Sequence, residues 1–327
     1  MNIVDEDLEF IVGQNYIPWK ELEGKNILIS GPYGFISSYL VKLILYLNEH
    51  QFSKKASVYG IARKHRNNVF EKRNNLYIFE QNVCDPIKAY LPKMDHVIHA
   101  ASKTGPKYYK SDLLNTVLPN VIGTYNLLEL VKNWGIKSFL FFSSGAIYSN
   151  FDTLDIRSSY AESKRMGENL CISYLYQYNI PIKIARIFHT YGPGMDLNNG
   201  NMISDFISDI LNKRDTALKS QGKEVRTLSY ISDTISALYA ILLKGKIGSA
   251  YDVGNNEQQI SVFDLARLMC NLYPELHLTP GFVPDDNSTV QRGVKAEIPN
   301  TSDLRSLGWK PKYLLESGIY RTIESYK

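Results

Sequence analysis

A chain of 327 residues, 44% hydrophobic and 21% charged, is long enough to bury one large core or two smaller ones and has the composition of a soluble globular protein. Its net charge of +4 is small for this size and its basic residues form no run, which argues against nucleic acid and anionic membranes as partners but leaves small anionic ligands open. Cys84, Cys171 and Cys270 are odd in number, far apart and without CxxC spacing, so neither a disulfide framework nor a metal site is expected.

The acidic N-terminus (MNIVDEDLEF) lacks a basic segment followed by an apolar core, and no apolar run approaches a membrane span. A soluble, cytoplasmic protein is the expectation. Residues 5–23 read as an amphipathic helical extension closed by Gly24. Then "KNILIS" (25–30) is a β-branched run stopped by glycine, and "GFISSYLVKLILYLNE" continues with helical spacing. Further strands are predicted at 56–62, 75–83, 95–101, 137–144 and 182–188, with helices at 120–135 and 159–179. Strands alternating with helices at this spacing predict an α/β fold, a doubly wound parallel sheet whose ligands sit beyond the carboxyl ends of the strands. From about residue 190 the pattern loosens into turn-rich stretches, "YGPGMDLNNGN" and "PGFVPDDNST". The predicted organisation is an extension at 1–24, a dinucleotide-type domain at 25–189, and a smaller α/β lobe at 190–327 that covers the sheet, with some of its segments free to return to it.

Between the first strand and first helix, "ISGPYGFISS" places Gly31 and Gly34 where a tight turn and close backbone approach to a pyrophosphate are needed, with Ser37 as the third small residue. A capped strand–helix turn would read the same way. After the second strand, "IARKHRNN" has Ala62 where an acid would hold a ribose 2′-hydroxyl, followed by Arg63, Lys64 and Arg66. That pattern suits either a 2′-phosphate pocket, hence NADP over NAD, or a solvated basic loop. Asp85 in "NVCDP" is placed to accept from adenine, or to serve a turn.

Tyr160 and Lys164 stand four residues apart, on one face of the predicted helix. A tyrosine acts as a base near neutral pH only if its pKa of about 10 is lowered, and a neighbouring cation does that. Ser144, at the preceding strand end, can donate to a substrate oxygen. A packed tyrosine with a surface lysine is the plain alternative, but the pair follows both a glycine turn and a serine-ended strand.

Together these motifs resemble an extended short-chain dehydrogenase/reductase of the nucleotide-sugar epimerase/dehydratase family. The matching pieces are "GPYGFIS" (31–37), "NVCD" (82–85), "HAAS" (99–102), "NVIGTYNLLE" (120–129), "FSSGAIY" (142–148), "YAESK" (160–164), "ARIFHTYGPGM" (185–195), "RTLSYISD" (226–233), "YDVGN" (251–255) and "LGWKP" (307–311). The stretch from "ARIFHTYGPG" through "LNNGNMISDFI" is most similar to the UDP-glucuronate decarboxylase and 4-epimerase branch. The resemblance implies a Rossmann-like domain and a bound NAD or NADP that oxidises a sugar hydroxyl, usually at C4, as Tyr160 takes its proton. It implies cofactor contacts from Gly31, Gly34, Phe35, Ile36, Arg63, Val83, Asp85, Ala100, Ala101, Ser102, Asn120, Tyr160 and Lys164. It further implies nucleotide-sugar contacts from Gly145, Ala146, His189, Arg226 and Arg292, and a homodimer through the helices containing 120–134 and 160–178.

Departures from the family pattern bear on the reaction. Dehydratases and decarboxylases of this family carry a carboxylate pair or a glutamate after the catalytic Ser/Thr. Here Gly145, Ala146 and Ile147 follow Ser144, and none can move a proton. Epimerisation needs only hydride out, rotation of the keto sugar and hydride back, so Ser144, Tyr160 and Lys164 suffice; 4-keto reduction needs the same trio. His189 replaces the family's asparagine, leaving open phosphate binding, a second acid/base or space filling. Gly194 replaces a basic residue found in many decarboxylases, and the span 149–159 is short, which predicts a more open sugar pocket. Relatives that only sense cofactor typically lose the Tyr or the Lys, whereas this chain keeps both.

Overall fold

The structure, a computed structural model, describes residues 2–66, 69–70, 73–105, 112–152, 154–282 and 298–327. It opens with α1 (Ile3–Val12), capped by Asn2, whose side chain accepts from the Asp5 amide at 2.9 Å. The predicted extension is thus one helix followed, after Pro18, by a single 3-10 turn, Trp19–Leu22. Then come β1 (Asn26–Ser30), α2 (Phe35–His50), β2 (Ser57–Ala62), β3 (Leu76–Glu80), β4 (His96–His99) and α3 (Leu113–Leu118). A π turn, Pro119–Gly123, joins α3 to α4 (Thr124–Val131), so this helical segment begins earlier than its periodicity suggested. After it follow β5 (Ser138–Ser144), α5 (Ser159–Tyr178) and β6 (Ile182–Ile187).

The second half holds β7 (Thr190–Tyr191), α6 (Met202–Leu211), β8 (Thr216–Leu218), β9 (Val225–Thr227), β10 (Ser229–Tyr230) and α7 (Ile231–Lys244). It ends with β11 (Ala250–Val253), β12 (Gln259–Ser261), α8 (Val262–Asn271), β13 (Pro280–Phe282), α9 (Ser302–Ser306) and α10 (Leu315–Glu324).

Seven strands form one parallel sheet in the order β11-β6-β5-β4-β1-β2-β3, with helices on both faces, a Rossmann-like architecture. Central strands of such a sheet are covered on both sides, so they read as continuous apolar runs rather than alternating ones. β5, SFLFFSS, does this: its first six residues are all buried. The seventh strand comes from the C-terminal half. β11 pairs with β6, and α7 packs against β5 and β6, so residues 231–253 belong with the first domain. The smaller lobe is built from the short two-stranded pairings β10–β7, β12–β9 and β13–β8 with α6 and α8.

The N-terminal helix is tied to the C-terminal one. Asp7 is fully buried, pairs with Arg321 of α10 at 2.9 Å and accepts from the Tyr230 hydroxyl at 2.9 Å. Those partners offset much of the cost of burying its charge.

Candidate active site

Six of the seven parallel strands, β1 to β6, end at one cleft of about 2050 Å³. That is roughly twice the upper end of an ordinary small-molecule pocket, room for two ligands side by side. On one side lies the glycine turn. Gly31 sits at φ +68°, and a Cβ there would stand 2.9 Å from the Ala101 Cα, so glycine is required on both counts. Gly34 caps α2 without a side-chain hydrogen bond, which leaves the first-turn amides of a 16-residue helix available to an anion.

Gly31, Gly34, Phe35, Ile36, Arg63, Val83, Ala100, Ala101 and Ser102 all line this side of the cleft. The Ser102 Oγ is buried with no hydrogen-bond partner among the described residues, as an atom awaiting a ligand would be. Ala62, Lys64 and Arg66 line it too. An orphaned hydroxyl, uncapped helix amides and a glycine cradle fit a dinucleotide.

The strand ends are locked together behind it. The Ser30 Oγ accepts from the amides of Ala100 and Ala101, both at 3.1 Å, and so donates its own proton to His99 Nδ1 at 2.7 Å. His99 Nε2 then carries the ring proton to the Pro119 carbonyl at 3.0 Å. Burial and the nearby Lys164 push the His99 pKa down to about 3, so the ring is neutral and structural.

In the middle of the cleft α5 presents Tyr160 and Lys164. The Lys164 Nζ is buried, donates to the Phe142 carbonyl at 2.6 Å and lies 5.8 Å from the centre of the Tyr160 ring. Burial lowers its pKa to about 7, while Glu168 one turn on pulls it upward. Ser144 ends β5 and caps the 3-10 turn Gly145–Tyr148, its Oγ accepting from the Ala146 amide at 3.2 Å. Ser144, Gly145, Ala146, Tyr160 and Lys164 line the same stretch of cleft. Space above Gly145 is already filled: a Cβ there would meet Phe188 ring atoms at 2.8 Å.

Beyond lies a basic corner. His189, just after β6, and Arg226, on β9, line the cleft together. His189 stands open to the cleft, and the enclosing walls together with Arg226 lower its pKa to about 4. The Arg226 guanidinium donates only to the neighbouring Val225 carbonyl among the described residues, so its charge is available to an anion. The short 149–159 span does not leave this side bare. Phe151, Ile156 and Arg157 line the cleft, with the Arg157 guanidinium 4.7 Å from the Phe151 ring centre and paired to Asp155.

Two expected cofactor residues are placed elsewhere. Asp85 is exposed and does not line the cleft; it belongs to the turn after β3, its amide donating to the Asn82 carbonyl at 3.1 Å. Asn82 and Gln81 line the cleft in its stead. Asn120 is wholly buried between helices, its Nδ2 donating to the Thr116 carbonyl and the Ser163 hydroxyl at 2.9 Å each. It lies in the π turn, which no periodicity reveals, and does not line the cleft. Arg292 lies outside the described residues. Tyr33, Lys103 and Phe188 also line the cleft; the first stands inside the glycine turn, where its position alone could have marked it.

Residues 27–254 match the model of the NAD dependent epimerase/dehydratase family. The chain belongs to that family. Its name places this family member among NAD-dependent enzymes. Curated relatives include UDP-glucuronic acid decarboxylase 1 of Xenopus tropicalis, 29% identical over 98% of this chain and 77% of that protein. UDP-glucuronic acid decarboxylase 3 of Arabidopsis thaliana is 29% identical over 92% of this chain and 89% of its own. Among solved structures, the epimerase Mth375 of Methanothermobacter thermautotrophicus superposes with a TM-score of 0.81 at 20% identity, covering 99% of this chain and 95% of that one. The Bacillus cereus UDP-glucuronic acid 4-epimerase, solved with UDP-glucuronic acid and NAD, gives 0.75 at 22% identity, over 92% and 98%. At such identities the solved structures speak for the fold. No helix among the described residues is long and apolar enough to cross a membrane.

Proposed function

We propose that this family member is a nucleotide-sugar epimerase working through a transient 4-keto sugar. The observation that carries this reading is the wall beside Tyr160: Ser144 is followed by Gly145 and Ala146, and Phe188 fills the space that a side chain at 145 would need. Elimination of water and assisted loss of CO2 both need a further acid or base there, and neither residue can provide one.

A nicotinamide dinucleotide, when bound, takes up and returns a hydride. The chain's residues do the rest. Tyr160 takes the C4 hydroxyl proton as the ketone forms and gives it back when the ketone is reduced on its other face. Protonated Lys164 favours the phenolate. The Ser144 hydroxyl donates to the sugar oxygen and steadies the proton in transit. Arg226 holds the diphosphate, with neutral His189 as a hydrogen-bonding neighbour. The glycine turn, the α2 amides and Ser102 hold the cofactor.

The expected product from a panel of nucleotide sugars, including UDP-glucose and UDP-glucuronate, has the mass of its substrate and inverted C4, as read by proton NMR. A product lighter by water or CO2 sinks the epimerase reading.

One observation favours a second reading, an NADPH-dependent 4-keto reductase. Arg63, Lys64 and Arg66 line the cleft beyond Ala62, with no acid at 62 to claim a ribose hydroxyl, which suits a 2′-phosphate. Stoichiometric consumption of NADPH would identify it.

A homodimer completes the proposal. Leu114, Leu118, Ile122 and Tyr125, spaced along the α3–α4 segment, and Met166 on α5 are 38–70% exposed, an apolar stripe suited to burial against a second copy.

A further inference from the structure

We propose that Glu168 is the positioning residue of the Tyr160–Lys164 pair: it fastens α5 to the end of β5 and keeps an anion beside Lys164, while Arg186, Tyr148 and Asp252 hold it in place. This rests on the reading of that pair as the proton-handling centre.

Tyr160, Lys164 and Glu168 stand at i, i+4 and i+8 on α5, one above another on a single face. Lys164 and Glu168 grip consecutive residues of β5. The Lys164 Nζ donates to the Phe142 carbonyl at 2.6 Å, and the Ser143 hydroxyl donates to Glu168 Oε1 at 2.5 Å. Ser144 is the next residue. The distance from the Ser144 hydroxyl to Tyr160 is therefore set by two attachments one helical turn apart.

Glu168 is itself fixed. Arg186 of β6 donates Nε to Oε1 at 3.0 Å and Nη2 to Oε2 at 2.8 Å, a two-pronged pair. Its Nη1 donates to the Tyr148 hydroxyl at 2.8 Å, and that hydroxyl donates to Asp252 Oδ1 of β11 at 2.8 Å. The Asn300 amide closes the chain on Asp252 Oδ2 at 2.9 Å. Two cations, Lys164 and Arg186, thus alternate with two anions, Glu168 and Asp252, across three neighbouring strands and one helix.

The groups facing Lys164 leave Glu168 in charge of its field. From α5 come Tyr160, Glu168 and Cys171; from β4, His99, which is neutral; from β5, the Phe141 ring, 5.2 Å away; and from β6, Arg186, reaching it across Glu168. Burial favours neutral Lys164 and Glu168 opposes that. Losing the Glu168 charge leaves Arg186 unbalanced, which drives Lys164 further toward neutrality.

The experiment follows Lys164 directly in cofactor-loaded protein labelled with ¹³C at the lysine ε-carbons, its signal identified by loss in Lys164→Arg. Glu168→Gln lowers the titration midpoint by about one pH unit. Arg186→Gln, which leaves Glu168 unbalanced, raises it. The double variant removes one charge of each sign and returns to the wild-type midpoint, although it deletes more hydrogen bonds than either single change. Glu168→Asp keeps the wild-type midpoint. Equal midpoints throughout, or a double variant shifted as far as Glu168→Gln, overturns the proposal; either single variant suffices if the other does not fold. Turnover of a nucleotide sugar is measured separately, and the alkaline limb of its pH profile moves with the midpoint. Midpoints in the stated order without any sugar turnover would overturn the reaction assigned above and leave the role of Glu168 standing.

Discussion

The Lys164 Nζ lies 5.8 Å from the centre of the Tyr160 ring, and its hydrogen bond to the Phe142 carbonyl holds it there. A buried cation fixed beside a cleft-lining phenol is the arrangement a tyrosine base requires. Replacing Tyr160 by Phe keeps the ring and deletes only the proton carrier. Turnover falls by roughly a hundred- to ten-thousand-fold, and cofactor affinity, measured by fluorescence titration, stays within a few-fold. A small change in steady-state rate would remove Tyr160 from the role of base.

His189 is neutral through the physiological range, because its pKa is lowered to about 4. The sign follows: the ring gains charge only as pH falls through that value, which strengthens anion binding in acid and nowhere else. His189 therefore adds no pH dependence to nucleotide-sugar affinity in the neutral range, and that affinity, measured by calorimetry, survives His189→Asn. Arg226→Ala, by contrast, weakens it roughly tenfold or more, since a charge-assisted contact is lost. A neutral-range pH step abolished by His189→Asn would show that the imidazole titrates there after all.

At the far end of the cleft Arg63 has no acid before it in the chain, only Ala62. Arg63→Ala is expected to weaken NADP much more than NAD in parallel titrations, because only NADP carries the 2′-phosphate. Equal losses for the two dinucleotides would end the preference for NADP.

Gly145 packs against the Phe188 ring. Gly145→Asp forces that ring aside and costs about 1–3 kcal/mol of stability, visible as a lower midpoint in urea. It produces no dehydrated sugar, since the added carboxylate lacks a cavity to work in. Water elimination by this variant would show that the missing acid alone had set the reaction.

The exposed stripe of Leu114, Leu118, Ile122, Tyr125 and Met166 is the surface proposed for the dimer. Ile122→Glu places a charge in its middle, and the proposed dimer should become a monomer by light scattering while the fold, followed by circular dichroism, persists. An unchanged mass would show that this face is not the interface.

Local spacing carried the glycine turn, the serine-ended strand and the Tyr160–Lys164 pair, because each is a short-range pattern within one strand, turn or helix. The alternation of strands and helices over residues 25–189 likewise determined a doubly wound sheet, since apolar runs with helical crossovers have few other ways to bury themselves. Only tertiary structure decided the rest. β11 joins beside β6 from more than sixty residues away, and it brings Asp252 to Tyr148 and Arg186. Arg226 meets His189 across 37 positions, and Glu168, an ordinary helical glutamate in sequence, becomes the partner of Ser143 and Arg186. Asp85 and Asn120 stay away from the cleft, the first exposed in the turn after β3 and the second buried in the π turn. Chain-local chemistry is written in the order of residues. Which distant charges balance one another depends on strand order, and that is settled only when the whole sheet closes its core.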